Sequence, residues 1–186
     1  MWSAMSCRCK GPFALFVILV LFILPSCDRV RINRTLNQML SKEVVAPAAL
    51  EKVQMDTIGS SSLDPRAKCI LYIDSTECSS CRIGHLAVYS DLYRWSQESS
   101  AFDFVVVISP KAKERERAVS QIHYQVEFPV YIDDGGEFLS LNPWIPQDPR
   151  FHCFLTDRLG RVVHVGDPTW SDKSKALFLE AVGKLP

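Results

Sequence analysis

One short run constrains this chain more than any other. Phe102 to Ile108 reads FDFVVVI, apolar at six of seven positions and without polar–apolar alternation. A strand of that kind is buried on both faces, so it lies inside a sheet with covering layers above and below. The chain around it supplies the other elements. Cys69 to Ile73 (CILYI) is a second apolar run of strand length. Phe128 to Ile132 (FPVYI) is a third, stopped by the turn Asp133-Asp134-Gly135-Gly136. Phe151 to Thr156 and Val162 to Val165 flank Asp157-Arg158-Leu159-Gly160, a hairpin signature. Between these runs lie helical patterns: Cys78 to Glu98 with Cys81, His85, Val88, Leu92 and Trp95 on one face, and the charged stretch Lys111 to Tyr124 with Ala112, Val119 and Ile122 as its apolar stripe. Ser171 caps a last helix, Asp172 to Val182, whose inner side holds Leu177, Phe178, Ala181 and Val182. The order predicts an α/β fold, a mixed central sheet with helices on both faces.

The 186 residues carry 21 basic and 21 acidic side chains. That length suits one domain with a modest core. The balance gives no electrostatic reason for a nucleic-acid partner. The N-terminus is a different kind of sequence. Arg8 and Lys10 precede an apolar run, Phe13 to Leu24, of 12 residues, too short to span a bilayer, which takes about 20. A basic head, a short apolar body and a small residue before a break describe a secretory signal. Leu24-Pro25-Ser26-Cys27 resembles a bacterial lipobox, which implies a signal peptide over residues 1–26 and a lipid on Cys27. An uncleaved anchor helix and a plain cleaved signal with Cys27 free are the alternatives. Residues 27–65 read as a tether and N-terminal segment, with a short helix at Thr35 to Val45, a Gly59-Ser60-Ser61-Ser62 loop and Asp64-Pro65. The stable domain is then 66–186. Lipidation of Cys27 would leave four thiols outside the cytosol, where disulfides persist.

Cys78-Ser79-Ser80-Cys81 falls where a strand gives way to a helix. Free N–H groups and the helix dipole there favour an anion, and a thiolate at Cys78 is the nucleophile of disulfide exchange. Cys81, one turn deeper and more sheltered, is placed to resolve a mixed disulfide. The same spacing also occurs in permanent disulfides and in zinc sites.

The stretch from Cys69 to Leu185 resembles a thioredoxin-like domain, nearest the membrane-tethered envelope thioredoxins of the TlpA and redoxin group. The matching pieces are CILYIDSTECSSC, FDFVVVISP, FPVYIDDGGEF and FLTDRLGRVVHVGDP. The resemblance implies Cys78 as attacking and Cys81 as resolving thiol. It further implies disulfide-containing envelope proteins as substrates, a membrane-bound electron donor, membrane lipid through Cys27, and a periplasm-facing location. No cofactor motif is present, and none is expected to be needed.

Three departures from the family pattern stand out. Glu77 replaces an aromatic residue before the first cysteine, where a carboxylate should oppose thiolate formation. Phe151 stands where the family has a cis-proline that holds substrate backbone, with Trp144 on a neighbouring loop as a second candidate contact. Tyr72 stands where typical thioredoxins have a buried acid. Two readings compete with disulfide exchange. A copper or zinc carrier would use Cys78, Cys81, His152 and Cys153, although adjacent strand residues point to opposite faces. An inactive binding module would keep only the fold. Cys69 and Cys153 read as small buried residues or as a second disulfide, and His85 as a packing residue or a neighbour tuning Cys81.

Overall fold

A computed structural model describes residues 28–48, 50–54, 57–61 and 66–185. The signal sequence expected over 1–26, Cys27 and Asp64-Pro65 lie outside them. The chain divides into two compact units, Met1–Asn37 and Gln38–Pro186. Residues 28–39 are helical (α1), all but the last two of them in the first unit. The helix expected at Thr35 to Val45 therefore sits earlier: by Glu43 the backbone has become extended and bridges to Arg161.

The second unit is built on one mixed sheet of seven strands among the described residues, ordered β2–β1–β5–β4–β3–β6–β7. These strands are β1 (Leu50–Gln54), β2 (Thr57–Ser61), β3 (Lys68–Ile73), β4 (Asp103–Ile108), β5 (Val130–Ile132), β6 (Cys153–Thr156) and β7 (Val162–Val165). β4 lies between β3 and β5 and is parallel to both, in the registers Cys69↔Phe104 and Val106↔Val130. β6 runs antiparallel to β3, and β7 antiparallel to β6. The central strands are those expected from the apolar runs. β1 and β2 are not: they lie in the segment read as a tether, yet β1 pairs with β5 through Val53↔Val130. Neither LEKVQ nor TIGSS shows the alternation of a half-buried strand, so only the partner strand marks them.

The helices are α2 (Ser79–His85), α3 (Ser90–Ser99), α4 (Arg115–Gln125), α5 (Glu137–Leu141) and α6 (Asp172–Val182). On one face of the sheet Cys69, Leu71, Ile73, Phe104, Val106 and Ile108 join Ile83, Leu86, Ala118, Ile122 and Phe178 in a single apolar cluster. A fully buried Leu, Ile or Phe contributes about 1.5–3 kcal/mol. On the other face Tyr72 stacks on Phe138 of α5, ring centroids 5.2 Å apart, and Trp144 meets Phe154 edge-on at 5.9 Å. α6 begins at its Ser171 cap as expected, with Phe178 and Val182 buried. Leu177, expected inside, is 48% exposed.

The helix expected from Cys78 to Glu98 is broken. A 3-10 turn, Leu86–Tyr89, separates α2 from α3. Three residues per turn align Ile83, Leu86 and Tyr89, and these three are buried. The face expected inside forms only in its second half: Leu92 and Trp95 of α3 pack against the core, while Cys81, His85 and Val88 are exposed.

Candidate functional site

The end of β3 delivers Asp74 to Glu77 to the start of α2. Asp74 accepts hydrogen bonds from the hydroxyls of Ser75 (3.2 Å) and Thr76 (2.9 Å). Cys78 is the N-cap of α2, and its Sγ accepts the Cys81 backbone N–H at 3.3 Å. Cys78 and Cys81 form a disulfide with Cα atoms 5.3 Å apart, within the range such bonds require. Both cysteines are exposed, so the expected contrast of one open and one sheltered sulfur is absent. The cause is the helix break, which turns Ile83 rather than Cys81 inward. Ser79, between them, is fully buried, and its Oγ has no protein partner.

Glu77 points inward, with its side chain 13% exposed. Oε2 lies 3.3 Å from Arg82 Nε, and Oε1 lies 3.8 Å from His152 Nδ1. Burial alone would raise its carboxyl pKa, but the contacts with His152 and Arg82 outweigh it and hold it below the ordinary value. The carboxylate expected to oppose the thiolate is thus matched by positive charge. Sequence reading passed over Arg82, because five residues from Glu77, which itself precedes the helix, is not the i, i+3 or i+4 spacing that marks a helical pair.

Tyr72, in place of a buried acid, has its phenol pushed above its ordinary range by burial, against a hydrogen bond with Ser109. It stays protonated and cannot relay a proton as a carboxylate would. Phe151 is 6% exposed at the end of a 3-10 turn, Pro149–Phe151. Every peptide bond among the described residues is trans. The His152 carbonyl accepts the Tyr72 N–H at 2.9 Å and so prolongs the β3–β6 pairing. The Trp144 ring is half-buried against Phe154.

The four residues of the metal alternative do not come together. His152 Nε2 is engaged by the Pro146 carbonyl at 2.8 Å. Cys153 faces Cys69, whose thiol, together with burial, pushes the Cys153 thiol well above its ordinary value. Among the described residues no three His, Cys, Asp or Glu side chains are grouped to hold a metal ion. Cys69 and Cys153 are free and buried, so the second disulfide is not formed. Tyr89, at the helix break, donates its hydroxyl to buried Asp167, which also accepts from Thr169 N–H at 2.8 Å. This contact ties the break to the loop after β7.

No family model matches the chain, and no curated protein does. Solved structures do. A conserved protein from Geobacillus kaustophilus aligns at 18% identity over 79% of this chain and 84% of its own, with a TM-score of 0.53. A thiol:disulfide interchange protein, DsbE, from Chlorobium tepidum aligns at 19% identity over 77% and 98%, with a TM-score of 0.51. A protein disulfide isomerase from Bacteroides thetaiotaomicron aligns at 15% over 78% and 89%, at 0.50. The chain has the thioredoxin-like fold, with a bonded C-x-x-C pair at the head of its first sheet-covering helix.

Proposed function

We propose that this chain is a thiol–disulfide oxidoreductase of the cell envelope acting through Cys78 and Cys81. The observation that carries the reading is the exposed Cys78–Cys81 bond at a helix start, with Cys78 Sγ accepting a backbone N–H. The likeness of its fold to the DsbE and disulfide isomerase structures supports it. In the reduced protein the Cys78 thiolate attacks one sulfur of a substrate disulfide. That bond breaks, a mixed disulfide forms, and the other substrate sulfur leaves as a thiolate. The Cys81 thiolate then attacks Cys78 Sγ and expels the second substrate sulfur. Two electrons pass to the substrate, and the Cys78–Cys81 bond is left behind. A membrane-bound dithiol donor resets the pair by the same exchange in reverse.

The rest of the reading follows the sequence. Residues 1–26 act as a lipoprotein signal, Cys27 carries the lipid, and the catalytic domain faces the periplasm. Backbone near Phe151 and the Trp144 ring are the candidate substrate contacts. In the full chain, Cys81→Ser should accumulate mixed disulfides through Cys78, resolved on non-reducing gels and lost in the double variant with Cys78→Ser. If no adduct forms under oxidising conditions, exchange is wrong. The inactive binding module then stands, a reading favoured by the buried Phe151 and all-trans backbone beside it.

A further inference from the structure

Between α3 and α6 the surface opens into a groove of about 570 Å³, within the roughly 300–1,000 Å³ of a ligand-binding cleft. One wall is Val88 of the 3-10 turn with Leu92 and Trp95 of α3, and the other is Phe178 and Leu179 of α6. Trp95 and Phe178 meet edge-on with ring centroids 6.3 Å apart, and buried Phe102 lies edge-on to both, at 5.1 and 5.6 Å. Pro168 and Thr169, in the loop after β7, complete the lining. The Tyr89 hydroxyl, donated to buried Asp167, ties the residue after Val88 to the residue before Pro168. Asp167 also accepts the Thr169 hydroxyl at 2.7 Å. The groove is thus formed in advance and needs no rearrangement to be filled.

Single apolar side chains in water are ordinary, but several around one cleft mark a contact surface. Val88 is 58% exposed and Leu179 43%, and Trp170, between the lining residues Thr169 and Ser171, is 61% exposed. Charge around the groove cancels. Asp91 lies 3.3 Å from Arg94, and Asp172 and Lys175 of α6 carry opposite signs. A strongly acidic or basic segment gains nothing there, whereas an uncharged apolar one gains the burial. Position decides which segment. Cys81, His85 and Val88 are exposed in succession, about one turn apart, so an open strip runs from the disulfide to the groove wall. From Cys81 to Val88 the chain rises roughly 10 Å at about 1.5 Å per residue, a distance that about three or four extended residues cover.

We propose that the groove between α3 and α6 is a docking site for the substrate protein. It takes an uncharged apolar side chain, aliphatic or aromatic, about four extended residues from the cysteine that Cys78 attacks. The inference rests on the exchange reading and adds a substrate class to it: disulfides in extended segments with an apolar residue at that spacing. While the mixed disulfide with Cys78 lasts, the groove holds the substrate beside the site.

The test uses the full chain, reduced with dithiothreitol and then freed of it, so that each molecule delivers one electron pair. Two synthetic peptides carry a single cysteine as its disulfide with glutathione. One has leucine at the fourth position on either side of that cysteine, and the other has glycine there. Mass spectrometry follows their conversion to free peptide and glutathione. In the wild type the leucine peptide should react about tenfold faster at low concentration, and in the double variant Val88→Asp with Leu179→Asp the two rates should become equal. Equal rates in the wild type, or a leucine preference that survives in the double variant, overturn the proposal. A dimer seen by sedimentation and broken by the double variant overturns it too, because a second copy then fills the groove. If the double variant does not fold, Val88→Asp alone takes its place, at a position already open to water. If neither peptide is reduced, the exchange reading falls. Fluorescence polarisation of labelled peptides with serine in place of cysteine then decides the groove separately: the leucine form should bind the wild type more tightly than the glycine form, and equal binding removes the docking site.

Discussion

Four cysteines of the second unit form two pairs with opposite fates. Cys78 and Cys81 sit on an exposed turn, are joined, and cap a helix. Cys69 and Cys153 sit on neighbouring strands in the core, face each other, and are not joined. Distance along the chain does not explain the difference, because cores bring distant residues together. Register does. Cys69 pairs with Leu155 and Cys153 with Leu71, so the two cysteines are diagonal neighbours. Diagonal positions stand about 7–8 Å apart, beyond the roughly 7 Å that a disulfide spans. Burial acts the same way, since a thiol without water resists becoming the thiolate that exchange requires. One pair is thus exposed and bonded, the other buried and free.

The comparison breaks most easily through access. After reduction, alkylation should modify Cys78 and Cys81 about a thousandfold faster than Cys69 and Cys153, whose exposure needs the fold to open. Mass-spectrometric counting of labelled sites over time reads this directly, and comparable rates would erase the distinction. Geometry offers the next test. Leu71 lies directly opposite Cys153, and the Tyr72 N–H to His152 carbonyl bond makes that pair one of the closely spaced, non-hydrogen-bonded ones. Oxidised Leu71→Cys should therefore bridge to Cys153, detectable as a linked peptide, although the wild-type Cys69 does not. A bridge from Cys69 instead would show that register is not the obstacle.

A smaller effect tests the packing role. Cys153→Ala should cost about 1–2 kcal/mol in urea unfolding and leave the rate of disulfide exchange unchanged. The smallest effects are in pH. Glu77 is held below its ordinary 4.5, so its contribution to stability is complete above that value and is lost as pH falls through the lowered folded value. Cys153 is held above its ordinary 9.0, so its contribution is complete below that value and is lost as pH rises beyond it. In urea midpoints measured against pH, Glu77→Gln should flatten the acid limb and Cys153→Ala the alkaline limb. An exchange of those effects between the variants would contradict the assignment of charge to the two regions.

Much of the scaffold was legible residue by residue. The runs at Cys69 to Ile73 and Phe102 to Ile108 became β3 and β4 because strands buried on both faces need apolar side chains at every position. The Ser171 cap and the end of α6 at Val182 are local hydrogen-bond chemistry and were readable as such. The C-x-x-C pair at a strand-to-helix junction was equally plain. The site's surroundings were not. The helix break at Leu86–Tyr89 left Cys81 exposed, and helical periodicity of 3.6 gave no warning of it.

Short-range patterns, then, determined the central strands, the last helix and the position of the cysteine pair, because these depend on side chains a few residues apart. The tertiary structure alone decided what depends on contacts between distant segments. It recruited Leu50–Gln54 and Thr57–Ser61 to the sheet through pairing with β5. It set Cys69 and Cys153 diagonally across β3 and β6, not directly opposite each other. It also brought His152, 75 positions along the chain, within 3.8 Å of Glu77. Electrostatic pairing falls off with distance in space and takes no account of distance in sequence, so only the folded chain could show where that charge is balanced.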